Sequence, residues 1–78
     1  KNISAIRANS NSLYAAYALQ ESNNDSSIVV EYDIASQKVT RSWGYKYLVH
    51  SLAGSENGRY LFVGTSYAQW FIDLGVNP

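Results

Sequence analysis

The sequence predicts an all-β chain of about two four-stranded antiparallel units, and three observations carry that reading. Short apolar runs alternate with polar residues at period two, clusters of Asn, Ser, Asp and Gly separate them, and two stretches read as one unit written twice. The alternation is cleanest over residues 28–34. There Ile28, Val30, Tyr32 and Ile34 share one face, and Glu31 and Asp33 lie on the other.

The doubled unit sets the architecture. Ile6 to Leu19 lines up with Leu52 to Thr65 at an offset of 46 (52 minus 6), placing Tyr14 on Tyr60 and Asn11 on Asn57. Val30 to Ile34 then lies on Trp70 to Leu74 at an offset of 40 (70 minus 30), so one loop of the first copy is expected to be six residues longer. A strand-rich period of about 40 to 50 residues points to propeller blades. The expected fold is therefore two four-stranded antiparallel blades of a larger or assembled β-propeller. Residues 1–46 form a first blade with its linker and 47–78 a second, incomplete blade.

Ile3 to Ala8 reads as the first strand, and Asn9 to Ser12 as a turn whose side chains bond their own backbone. Leu13 to Leu19 has helical propensity through Ala15, Ala16, Ala18 and Leu19. Its aligned partner, Tyr60 to Val63, is aromatic and β-branched and follows Asn57-Gly58, so a strand is expected. Residues 20–27 are expected to be a polar surface loop, too hydrophilic to be buried. Ile28 to Ile34 is the third strand, Ala35 to Lys38 a tight turn, and Val39 to Trp43 a polar fourth strand. Gly44 to Leu48 leads into the second unit. Its strands are Val49 to Gly54, Arg59 to Gly64 and Gln69 to Leu74, with a turn over Ser55 to Gly58.

Composition narrows the function. The chain has 78 residues and no cysteine, so disulfides and thiolate metal sites are excluded. One histidine, His50, is too few for a zinc site of the usual ligand set. Six basic and six acidic side chains balance, which argues against nucleic acid, and no apolar run approaches the roughly 20 residues of a membrane span. There is no methionine, so Lys1 is not a translation start, and a processed protein or a piece of a longer chain is expected. Low charge with many Ser, Asn and Tyr fits an extracytoplasmic β protein.

The tract Tyr32 to Val39, followed by Val49 through Asn57-Gly58-Arg59-Tyr60-Leu61-Phe62-Val63, resembles β-propeller repeats of the WD-repeat family and the related surface-layer and quinoprotein-like propellers. Asp33, Lys38, Asn57-Gly58 and Asp73 fall where those repeats carry an Asp-ended strand, a short turn and the next blade's opening turn. The chain departs from them at Tyr32 and Ile72, which stand where the Trp of the Trp-Asp pair is expected. Arg41 stands at the docking-tryptophan position of quinoproteins, with Trp43 two positions late. The resemblance implies a blade segment, and a cofactor in a quinoprotein-like relative would contact several blades.

No catalytic constellation is legible. His50 is the single possible imidazole base, and Ser42 and Ser51 carry no nucleophile elbow, so a packed strand histidine is expected. Asp33 and Asp73 are expected to accept backbone N–H bonds and set equivalent turns. The loop Asn23 to Ser27 lacks the Gly and distal Glu of a calcium site. The aromatic run Trp43, Tyr45 and Tyr47, flanked by Arg41 and Lys46, is the candidate binding surface, because aromatics with Arg anchor interfaces and stack on sugars. Packing between neighbouring blades would use the same residues. The expected role is a structural, protein-binding segment without a cofactor, its partners further blades or further copies of the chain. The alternatives are a self-assembling, lectin-like unit and part of a quinone-dependent dehydrogenase.

Overall fold

A computed structural model describes residues 3–9, 11–21 and 24–75. It is all-β, with no helix among the described residues and two antiparallel sheets. The first sheet runs β1 (Ile3–Asn9), β2 (Ser12–Glu21), β3 (Asn24–Asp33) and β4 (Lys38–Tyr45). The second runs β5 (Val49–Gly54), β6 (Tyr60–Thr65) and β7 (Gln69–Asp73). In both, spatial order follows chain order, so every ladder joins strands consecutive in sequence.

The alanine-rich segment is a strand because tertiary pairing overrides its helical propensity. β2 is central in its sheet, with Ala15 opposite Ile6 on one side and Val30 on the other. The expected polar loop is different. Ala18 pairs with Ser27, Leu19 with Ser26, Gln20 with Asp25 and Glu21 with Asn24, so most of residues 20–27 extend the β2–β3 hairpin. Backbone hydrogen bonds across a hairpin are indifferent to the polarity of the side chains they carry. Ser27 is also buried.

The register corrects the expected alignment of the two sheets: Tyr14 does not fall on Tyr60, and the loop of the first copy is eight residues longer (48 minus 40), not six. Each has a bulge between its first two strands: Ile3 pairs with Tyr17 and Ala5 with Ala16, as Val49 pairs with Thr65 and Ser51 with Gly64. Matching the bulges keeps an offset of 46 for β1 on β5 (49 minus 3). For β2 on β6 it becomes 48 (65 minus 17), because the β5–β6 turn is two residues longer than the β1–β2 turn. Tyr14 then falls on Phe62, Ala16 on Gly64 and Leu13 on Leu61. For β3 on β7 the offset of 40 holds, with Val30 on Trp70 and Tyr32 on Ile72.

The sheets stack through unlike faces. Tyr14, Ala16 and Val29 of the first sheet form one buried cluster with Val49, Leu61, Val63 and Ile72 of the second, and Trp43, Tyr45, Leu52 and Leu74 pack on it. β5 lies over β1 and β2, where the backbones come closest. At the far side, large side chains bridge a wider gap. Tyr45 meets Trp70 at 5.5 Å between ring centroids, and Arg41 Nη1 donates to the Leu74 carbonyl at 2.9 Å. The seam is thus a wedge, narrow at β1 and β5 and wide at β4 and β7.

Candidate functional site

Two clusters concentrate the chemistry-bearing side chains, one inside the seam and one at its end. The first centres on Glu31, a buried carboxylate on the inward face of β3. The sequence places Glu31 opposite the apolar face of that strand. The structure turns the Glu31 face into the seam and leaves Ile28, Val30 and Tyr32 on the outer side, only partly covered. A carboxylate tolerates that position because its oxygens are fully used. Arg41 forks onto it, Nε donating to Oε1 at 2.9 Å and Nη2 to Oε2 at 2.7 Å. The Tyr14 hydroxyl donates to Oε2 at 2.7 Å, and the Thr40 hydroxyl to Oε1 at 2.7 Å. Thr40 is the extra residue of a bulge, since Glu31 faces Arg41 while Tyr32 faces Val39.

The electrostatics follow from that geometry. The Arg41 fork, against the opposing effect of burial, holds the Glu31 carboxyl down at about 2. Burial first, and the adjoining carboxylate second, push the Tyr14 hydroxyl up to about 12. Neither group is poised near neutrality, so the cluster is an ion pair locking β3 to β4 and, through Leu74, one sheet to the other. Arg41 also lies 5.3 Å from the Trp43 ring centroid.

The second cluster forms where the connector between β4 and β5 meets the β6–β7 hairpin tip. Tyr47 and Tyr67 have ring centroids 4.6 Å apart, and Tyr47 stacks on Trp70 at 6.2 Å and 14°. Tyr67 is 78% exposed. Its turn is fixed by Thr65, whose hydroxyl accepts from the Tyr67 and Ala68 amides and donates to the Ala68 carbonyl. The connector is fixed by Ser27, whose hydroxyl donates to the Tyr47 carbonyl at 2.7 Å and accepts from the Val49 amide at 3.2 Å.

The four residues singled out from sequence therefore divide. Arg41 and Trp43 lie in the seam, Tyr45 is half-buried against Trp70, and Tyr47 joins the exposed cluster. Sequence reasoning did not associate Tyr67 and Trp70 with them; an aromatic at a hairpin tip was the available signal. His50 sits in the β5 bulge and is exposed rather than packed, because the bulge turns it out of the strand's alternation. Asp33 and Asp73 behave as expected, accepting the Ser36 and Gly75 amides at 3.0 Å each, and Arg59 forks onto Asp73 as well. No cluster of three His, Cys, Asp or Glu side chains forms among the described residues. No helix of the described residues is long and apolar enough to cross a membrane.

No family model, curated protein or solved structure matches the chain. Its functional reading therefore rests on these two clusters and on the outer faces of the sheets.

Proposed function

We propose that the chain is a structural, protein-binding segment of a β-propeller, in which each sheet is a blade and the stack continues at both ends. The observation that carries this reading is the sense of the stack. The two sheets meet through unlike faces, so one face of each kind is left outward, and both carry exposed apolar side chains. Ile6 and Val39 are 55% and 58% exposed on the outer face of the first sheet, and Phe62 and Phe71 are 47% and 63% exposed on that of the second. Soluble chains seldom leave such faces bare. The wedge supports the same reading, because units repeated at a constant tilt turn towards closure.

The test is a covalent tandem of two copies joined by a flexible Gly/Ser linker. Stacked blades stabilise one another, so the tandem should melt about 5 °C or more above the single chain. Identical melting would sink the reading.

A second reading, a lectin-like surface, is favoured by the Tyr47, Tyr67 and Trp70 rings, which offer flat aromatic faces beside polar groups at one end of the seam. Tyr67→Ala should abolish binding on a glycan array while leaving melting unchanged. Binding that survived the substitution would exclude that surface.

A further inference from the structure

We infer that the outer face of the second sheet is a docking site for the outer face of the first sheet of another copy of this chain, arranged head to tail. The inference rests on the stacking reading above and adds the identity of the partner.

The internal seam is the template. Its second-sheet side is built from Leu52, Leu61, Val63 and Ile72, with Trp70 at the edge against Tyr45. At matched register the outer face of the first sheet carries Ile6, Leu13, Ala15, Val30 and Tyr32, apolar at every position. A copy therefore offers the kind of surface that the seam already accepts. The receiving side matches as well. Tyr14 and Ala16 receive the second sheet inside the chain, and Phe62 and Gly64 occupy their places on the outer face. Ala16 is wholly buried under the second sheet; Gly64 is buried too, covered by the Ser51 side chain, and a groove of about 230 Å³ lined by Ser51, Ala53, Phe62 and Gln69 opens beside it. A copy's β1 would lie over that groove as β5 lies over β1 and β2.

One substitution in the matched set fits the same logic. Phe71 stands where Glu31 stands in the first sheet. Glu31 is paired with Arg41 of β4, whereas an apolar ring at Phe71 needs no such partner. The face is thus free of unpaired charge where a partner would bury it. Contact between unlike faces is heterologous, so it propagates until it closes into a ring.

Two variants test this by complementation. Ile6→Glu with Val39→Glu spoils only the outer face of the first sheet. Phe62→Glu with Phe71→Glu spoils only that of the second. All four positions are exposed in the single chain, so each variant should retain the wild-type circular dichroism, which is checked first. Light scattering of the wild type should show concentration-dependent assembly. Each variant alone should lose association by about a hundredfold or more, since a charge would be buried without a partner. An equimolar mixture should form a one-to-one dimer through the single pair of intact faces. Assembly of either variant alone would mean that like faces meet, overturning the inference. A wild type that stays monomeric would overturn it too. If the covalent tandem were nevertheless stabilised, the two faces would fit one another only when joined in one chain, so the stacking reading would stand and a separate second copy would not be the partner.

Discussion

At Glu31 a carboxylate sits between two sheets with four donors on its two oxygens. Its depressed ionisation makes folding pH-dependent. The unfolded chain takes up the proton near 4.5 and the folded chain near 2. The stabilisation is therefore complete above 4.5 and is lost as pH falls towards 2. A shift of that size corresponds to about 3 kcal/mol. Glu31→Gln should destabilise the chain by about 2 kcal/mol at neutral pH, less than a fully enclosed pair because Arg41 is partly solvated. The variant should also lose most of the acid slope between pH 4.5 and 2, as read by urea melts across pH. An unchanged slope would place the acid sensitivity in other carboxylates. At the alkaline end Tyr14 acts with the opposite sign. Its stabilising neutral form is retained up to pH 10, and stability falls as pH rises towards 12, because the unfolded chain ionises first.

Among the elements, the turns carry the clearest backbone signals. Gln37 closes the β3–β4 turn with φ at 58°, donating its amide to the Asp33 carbonyl at 2.8 Å. A side chain in the left-handed region is strained, and glycine is not. Gln37→Gly should therefore raise stability by about 1 kcal/mol in urea titration. Gly58, with φ at 73°, closes the β5–β6 turn, where its amide bonds the Ser55 carbonyl and Asn57 accepts the Arg59 amide. Gly58→Ala should lower stability by about 1 kcal/mol or more. Opposite signs at the two turns are the diagnostic outcome.

Most strands were legible, because alternation and turn chemistry are written locally. β2, however, reads locally as a helix and is expected to be a strand only through its aligned partner, and the extension of β2 and β3 through residues 20–27 reads as loop. Asp33 and Asp73 were legible because each bonds an amide only two or three residues away. What escaped depends on distance. That Glu31 faces the seam is decided by the stacking of the sheets, and its partners Tyr14 and Arg41 lie 17 and 10 residues away. Ser27 reads as loop chemistry, yet it holds a connector 20 residues downstream. The Tyr47, Tyr67 and Trp70 cluster joins two segments that meet only once the sheets dock.

Across the whole molecule the seam is the main apolar core. Leu61 lies at its centre, 1% exposed. Leu61→Ala should destabilise by about 2 to 5 kcal/mol through the transfer and cavity terms. Leu61→Asp should prevent folding outright; an Asp variant that melted like the wild type would show the core to lie elsewhere. The seam also has a kinetic consequence. Every ladder joins neighbouring strands, so each sheet can form by zipping short hairpins with little loop closure. Joining the faces is then the late event on the folding path. In stopped-flow measurements, we expect Gly58→Ala to slow refolding and Leu61→Ala mainly to speed unfolding, so that the chain assembles as two separately nucleated meanders that meet last.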